Sequence, residues 1–220
     1  MHQTAIIVAG GMGLRMRSAI PKQFLRIGHE IVLMRSLRIF NDFDPAIELI
    51  VVLPGPEIPT WERLCQEELF TVEHTIVEGG DTRYASVKNG LDHIEKPGLV
   101  AVHDGVRPLV SHETIRRVFE KAEAKGNAIP VTEIPESIRF IENDTSRAVP
   151  RDQYRLVQTP QVFESSLLKK AYQQAYSSEF TDDASLVESM GTPVHIVEGN
   201  VENIKITTQK DLELAGILLD

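Results

Sequence analysis

Four short stretches of this chain carry residue types that phosphate chemistry needs. The first is "AGGMGLRMRSAIPKQF", Ala9 to Phe24, which follows the apolar run Ala5-Ile6-Ile7-Val8. It combines Gly10, Gly11 and Gly13 with Arg15, Arg17 and Lys22. Glycines let backbone N–H groups come close to a phosphate chain. Arg15 offers a planar fork of donors and Lys22 a point charge. Two cations beside one phosphate chain suit the charge that builds during phosphoryl or nucleotidyl transfer, although a surface loop with scattered cations would have the same composition. The second stretch is "VHDGVRP", Val102 to Pro108. Asp104 there can hold Mg²⁺, which takes one or two carboxylates plus substrate phosphates. An Asp before Gly can equally cap a turn, with Arg107 as its ion-pair partner.

The third stretch, "EGGDTRYAS" from Glu78 to Ser86, pairs Gly79-Gly80 with Asp81, Arg83 and Ser86. These groups suit recognition of a base or sugar edge, and Asp81 also reads as a helix N-cap. The fourth, "NIKIT" from Asn203 to Thr207, sets Lys205 between Ile204 and Ile206. By itself that is the pattern of a strand whose lysine faces water.

Two common nucleotide loops are excluded. A dinucleotide fingerprint needs G-x-G-x-x-G, but Met16 stands at the third glycine and Pro54 ends the second strand where an acid should meet the ribose. A P-loop needs Gly-Lys-Ser/Thr, and Leu14-Arg15-Met16 follows the glycines instead. The histidines are scattered without zinc-ligand spacing, and no G-x-S-x-G is present. Trp61 and Cys65, four apart on an expected helix, read as packing partners.

The elements that must hold these loops alternate. Strands are expected at Thr4–Ala9, Ile47–Leu53, Val72–Val77 and Leu99–His103, and helices at Ile31–Phe40, Pro59–Phe70, from Asp81 or Thr82 to Ile94, and from Ser111 to Ala124. This order implies a Rossmann-like α/β fold, a mostly parallel sheet with helices on both faces. Ligands then bind at the carboxyl ends of the strands, where the four stretches lie. From about Asn127 the pattern shifts to short β-like runs at Ala128–Val131, Ser137–Ile141 and Arg155–Val157, read as a β-rich arm. Helices at Glu164–Tyr176, Asp182–Met190 and Gln209–Leu219, and strands at Val194–Val197 and Ile204–Thr207, complete the chain.

The 220 residues carry a net charge of −9, which argues against a nucleic-acid-binding surface. A single cysteine excludes an intramolecular disulfide and suits a reducing compartment. No apolar stretch approaches the roughly 20 residues of a membrane span. The expectation is a cytoplasmic protein of one domain over 1–220, with an arm at about 132–150.

"AGGMGLRM", "PKQF", "GGDTRYASV", "VHDGVRP", "TPQVF", "TDDAS" and "VEGNVENIKIT" occur in this order over nearly the whole chain. In this the sequence closely resembles the 2-C-methyl-D-erythritol 4-phosphate cytidylyltransferases, nucleotide-diphospho-sugar transferase-like α/β enzymes. The resemblance implies that CTP and the alcohol phosphate give the CDP-linked alcohol and pyrophosphate with Mg²⁺. Arg15 and Lys22 match the cations that stabilise the transition state, Lys205 the lysine near the α-phosphate, and Asp104 the acid at the metal. Ala9, Gly10, Gly11, Gly13, Gly80, Asp81 and Ser86 match positions around the nucleotide. Arg107, Thr159 and Thr181 match the acceptor side. Arg151 and Ser137 match residues reaching the acceptor phosphate from the neighbouring subunit of a homodimer, through an exchanged arm. Two positions depart from the family pattern: Gly10, where alanine is common, and Ser137, where threonine is expected. The runners-up are a ribitol-5-phosphate cytidylyltransferase and a non-catalytic nucleotide-binding module.

Overall fold

The computed structural model describes residues 1–10 and 20–219. Its strands are β1 (His2–Val8), β2 (Arg26–Ile27), β3 (Glu30–Ile31), β4 (Glu48–Leu53), β5 (Thr75–Glu78), β6 (Gly98–Asp104), β7 (Asn127–Thr132), β8 (Ile138–Glu142), β9 (Thr145–Val149), β10 (Leu156–Val157), β11 (Gln161–Glu164) and β12 (Ile196–Glu198). The helices are α1 (Val32–Phe43), α2 (Ile58–Glu67), α3 (Arg83–Asp92), α4 (His112–Lys125), α5 (Ser165–Ala171), α6 (Asp183–Glu188) and α7 (Gln209–Ile217). The main sheet runs β10-β7-β11-β6-β1-β4-β5, with β12 pairing in parallel with β7. Pairings among β6, β1, β4 and β5 are all parallel, while β11 runs antiparallel to both β6 and β7.

The central strands are apolar on both faces because both faces are covered. In β1, Ala5 and Ile7 enter one core while Ile6 and Val8 enter the other. Val51 and Leu53 of β4 join the first core, and Ile50 and Val52 the second. The first core is closed by Leu33, Leu37 and Phe40 of α1, Trp61 of α2, and Ile115 and Val118 of α4. The second is closed by Val87 and Leu91 of α3, Leu168 of α5, and Leu186 and Val187 of α6. The three- and four-residue steps of α1 and α4 are what place those side chains on one stripe. Ser111 caps α4 by accepting from the Thr114 N–H, and Gly126 ends it in the left-handed region at φ +85°.

The differences from the sequence expectations have local causes. Residues 204–207 form no strand; Ile206 N–H reaches Val106 O at 2.9 Å, but loop contacts around Asn203 fix the rest. The four-residue β11 was not expected, since "QVFE" follows a proline and is too short to show alternation. It is a strand because β6 and β7 flank it on both sides. The helix expected over Glu164–Tyr176 is confined to Ser165–Ala171, and β5 begins only at Thr75. Thr82, not Asp81, caps α3 by accepting from Ala85 N–H at 3.0 Å.

The run expected at Ser137–Ile141 becomes β8, which pairs only with β9, so the hairpin forms a two-stranded sheet of its own. Asn143 at φ 51° makes its turn, a conformation asparagine tolerates better than most residues. Phe140 and Ile141 on this hairpin are exposed. Among the described residues, no helix is long and apolar enough to cross a membrane.

Candidate active site

The parallel register brings the loop-bearing strand ends to one edge: Val8 lies opposite both Val52 and Asp104, and Val52 opposite Val77. Backbone bonds carry this alignment into the loops. Ala9 N–H reaches Val52 O at 2.9 Å, Gly79 N–H reaches Leu53 O at 2.7 Å and Gly105 N–H reaches Val8 O at 2.9 Å. Ala9, Gly10, Lys22, Gly80, Asp81, Ser86, Asp104 and Lys205 thereby line one cavity of about 270 Å³. All are sequence-predicted site residues. Arg15, Gly11 and Gly13 lie outside the described residues.

Close backbone packing shapes the cavity wall. Ser86 Oγ bonds both backbone groups of Gly80, accepting from its N–H at 3.2 Å and donating to its carbonyl at 3.3 Å. A Cβ on Gly80 would come within 2.5 Å of the Ala85 Cβ, so this loop requires glycine there. A Cβ on Gly10 would lie 3.4 Å from Ser86 Oγ, at the edge of ordinary contact. The glycine-for-alanine departure at position 10 is therefore sterically mild.

Charge is concentrated around Asp104. Asp104 Oδ2 lies 2.9 Å from Lys205 Nζ and 3.3 Å from Arg107 Nε, and Oδ1 lies 3.7 Å from Arg83 Nε. Lys205 therefore faces the cavity rather than bulk water alone. Burial alone would raise the pKa of the Asp104 carboxyl. The surrounding Arg83, Lys205 and Arg107 outweigh it and hold the carboxyl well below the usual carboxylate range. The turn that follows Asp104 is closed by the backbone, with Arg107 N–H reaching Asp104 O at 2.9 Å, while the Asp104 carboxylate pairs with the Arg107 guanidinium as its ion-pair partner. Lys22 is buried, and its Nζ donates to Ile206 O at 3.1 Å.

Beneath Asp104 runs a polar chain. Thr159 Oγ1 accepts from Asp104 N–H at 3.0 Å and lies 3.1 Å from His103 Nδ1. His103 Nε2 lies 3.1 Å from Arg107 O, so Nε2 carries the proton and Nδ1 accepts from the threonine hydroxyl. Burial pushes the His103 pKa down to about 4, which keeps the ring neutral in this chain of bonds. Arg83 makes a bidentate pair with the fully buried Asp183, at 3.1 and 2.7 Å, and Tyr172 Oη donates to the same carboxylate at 2.5 Å.

A divalent ion is compatible with this wall. Among the described residues no three His, Cys, Asp or Glu side chains converge as a metal-binding set. Asp104 is an ionised carboxylate at the cavity wall, and a single carboxylate suffices for Mg²⁺ when phosphate oxygens and water complete its shell.

A second space of about 290 Å³ adjoins the first, sharing Asp104 and Lys205 and adding Arg107, Thr159 and Thr181. Those three residues are thus brought together. Ser137 and Arg151 are not. Both are exposed near the hairpin, where the Arg151 guanidinium donates to Pro135 O, and neither lines these two spaces. Sequence reasoning missed His103, Gln158 and Asn203; it named Arg83 among groups suited to a base or sugar edge, whereas the structure sets Arg83 between Asp104 and Asp183. Thr159 lies 56 residues from His103 and 44 from Asn203, and only the "VHD" and "NIKIT" stretches that contain His103 and Asn203 gave a signal.

The family model described as 2-C-methyl-D-erythritol 4-phosphate cytidylyltransferase matches residues 3–220. The chain belongs to this cytidylyltransferase family. A relative of that name from Bacteroides thetaiotaomicron is 53% identical over 219 residues, covering 100% of both chains. Another from Porphyromonas gingivalis is 50% identical over 217 residues, covering 98% of this chain and 96% of its own. The crystal structure of the cytidylyltransferase of Thermus thermophilus aligns with a TM-score of 0.80 at 37% identity, over 99% of this chain and 98% of that one. The 4-diphosphocytidyl-2C-methyl-D-erythritol synthase of Anaerococcus prevotii aligns with a TM-score of 0.85 at 29% identity, over 99% and 96%. The α/β architecture, with its mixed and mostly parallel sheet, is therefore that of the cytidylyltransferases.

Proposed function

We propose that the chain transfers the cytidylyl group of CTP to 2-C-methyl-D-erythritol 4-phosphate in isoprenoid precursor synthesis. A phosphate oxygen of the alcohol phosphate attacks the α-phosphorus of CTP. A new P–O bond forms, the bond to the β-phosphate breaks, and pyrophosphate leaves. The observation that carries this reading is the joining of two spaces at Asp104 and Lys205, one walled by Gly10, Gly80 and Ser86 and one by Arg107, Thr159 and Thr181. Nucleotide and acceptor then meet at a cluster of cations.

The residues take roles by their chemistry. Gly80 and Ser86 present backbone and hydroxyl groups to the base, and Ala9 and Gly10 allow close approach. Lys22, Lys205 and Arg15 stabilise negative charge that grows on the α-phosphate and on departing pyrophosphate. Arg107, Thr159 and Thr181 hold the acceptor phosphate in line for attack. Asp104 would hold Mg²⁺, which when bound neutralises charge across the triphosphate. The bond from Lys22 to Ile206 O orients the ammonium before substrate arrives.

The enzyme is proposed to act in the cytoplasm as a single domain that forms a homodimer. The exposed Phe140 and Ile141 of the hairpin support this, as do the exposed Leu156, Val157 and Ile196 beside a groove of about 1090 Å³. An isolated two-stranded hairpin is marginal in water, and a partner subunit would cover it. That arrangement would bring Ser137 and Arg151 to the partner's acceptor phosphate.

The deciding assay supplies CTP and Mg²⁺ with either 2-C-methyl-D-erythritol 4-phosphate or ribitol 5-phosphate and measures pyrophosphate release. Faster turnover with the methylerythritol phosphate is expected. Faster turnover with ribitol 5-phosphate would overturn the choice of acceptor. CTP binding without release in either case would identify a non-catalytic module.

A further inference from the structure

We infer that Asn203 is a positioning residue that sets Lys205, Arg107 and Asp104 against one another; this inference rests on the cytidylyl-transfer reading above. Asn203 is fully buried and lines neither the nucleotide cavity nor the adjoining acceptor space. Its bonds reach Arg107 directly and Asp104 through Thr159. Nδ2 donates to Thr159 O at 2.8 Å. Thr159 in turn receives the Asp104 N–H at its hydroxyl. The backbone carbonyl of Asn203, whose place the Nδ2 bond fixes, accepts from Arg107 Nη1 at 2.8 Å, so the same guanidinium that faces Asp104 is also held at the loop. Two residues onward stands Lys205, whose Nζ meets Asp104 Oδ2 at 2.9 Å.

The tether is two-sided. After Lys205, the Ile206 N–H is fixed to Val106 O. Before it, Asn203 is fixed to the Thr159 carbonyl. Lys205 therefore hangs from a short span of backbone pinned at both ends, which limits where its ammonium can go. The amide of Asn203 is asymmetric in its use: Oδ1 is buried without a hydrogen-bond partner. A buried polar atom left unpaired is a cost, and no apolar side chain of similar shape would incur it. The cost is accepted here because the Nδ2 donor has a carbonyl to hold, a task that neither leucine nor aspartate could perform.

Asn200 provides the comparison. It pins the same loop three residues earlier, through Ser111 N–H at 3.1 Å and Leu109 O at 2.9 Å. Its side-chain bonds reach the start of α4 and not the charged cluster. If loop anchoring alone mattered, Asn200 and Asn203 would be interchangeable in their effects.

The test compares Asn203→Ala, Asn203→Ser and Asn200→Ala with the unaltered chain, measuring pyrophosphate release, KM for each substrate and thermal midpoint. Turnover by the unaltered chain is the prior condition, and its absence would defeat the functional reading rather than this inference. We expect Asn203→Ala to lower kcat by roughly 10- to 100-fold, the scale on which misplaced catalytic groups lose rate, with KM for CTP changed less than about threefold. We expect Asn200→Ala to keep kcat within about threefold at a comparable loss of thermal midpoint. Asn203→Ser, which retains a short donor, should recover part of the lost kcat. Equal kcat in the two alanine variants would overturn the assignment. So would a loss expressed only in KM for CTP, or a failure of both Asn203 variants to fold, which would make the residue purely structural.

Discussion

Replacing Arg83 by alanine would strip the cation from a carboxylate that has no access to water. Asp183 is fully buried, and two of its hydrogen bonds come from the Arg83 guanidinium, at 3.1 and 2.7 Å. Only the Tyr172 hydroxyl at 2.5 Å would remain among the side-chain donors described for it. Breaking a buried pair by removing one partner costs about 3–5 kcal/mol. In a chain of this size each kcal/mol moves the thermal midpoint by roughly 2–4 °C. The midpoint of Arg83→Ala should therefore fall by roughly 6–20 °C, read by circular dichroism at fixed protein concentration. The Arg83 side chain is 31% exposed while that of Asp183 is fully buried, so the penalty falls mainly on Asp183. Pairing Arg83→Met with Asp183→Leu should recover much of the loss, because removing both charges leaves none stranded. A fall below about 2 °C in the single variant, or a double variant that loses the sum of two single losses, would refute the account of Asp183 as a stranded charge.

Lys22→Ala should lower kcat by about 10²–10³, the usual effect of losing one donor to a developing charge, while CTP affinity measured by calorimetry changes far less. Equal losses in both would refute a transition-state role. Gly80→Ala should cost about 1–3 kcal/mol in a urea titration through overpacking and raise KM for CTP, since its Cβ would meet Ala85 at 2.5 Å; Gly10→Ala should be nearly silent in both measurements. Arg151→Ala should raise KM for the alcohol phosphate and spare CTP. Mixed with Lys22→Ala it should restore activity in heterodimers, and verified heterodimers without activity would count against a shared site. Acid should perturb the sole tryptophan. His74 Nδ1 donates to Val72 O at 2.7 Å, so Nε2 accepts the Trp61 indole N–H at 3.0 Å, and protonation removes that acceptor. Burial holds the His74 pKa below 6.5; its contribution to stability is complete above that pH and is lost as pH falls through the folded value. Trp61 fluorescence should shift in that lower range and not near neutrality, and a His74→Phe chain should lack the step.

Much of the fold was legible because the central strands are apolar on both faces and the helices carry clean stripes. "IELIVVL" could only be a buried strand, and Ser111 before "HETIRRVFEKAEAK" only a helix start. What failed was set by neighbours rather than by local pattern. "QVFE" is a strand because β6 and β7 enclose it, and "IKIT" is not one because side chains far away in sequence hold it as a loop. The same holds at the site. Glycines, Asp104 and Lys22 could be read from position after strands, whereas Lys205 read by itself as a lysine facing water and was raised only by the family resemblance. The Arg83–Asp183 pair spans 100 residues of sequence, and Asn203 acts through Thr159 and Arg107, so neither had a local signature. For Ser137 and Arg151, which stand apart from the charged cluster in a single chain, position after a strand gave no guidance at all.

The bond between Lys22 and the Ile206 carbonyl has a consequence for the order of biosynthesis. The sheet strands next to the first loop, β4 and β6, are made early, so the glycine-lined cradle can take shape while the ribosome is still working. Its ammonium groups cannot be set until the segment around Ile206 has emerged. A nascent chain could therefore enclose a nucleotide before it can act on one, and the segment around Ile206, made after these strands, is the one that arms it.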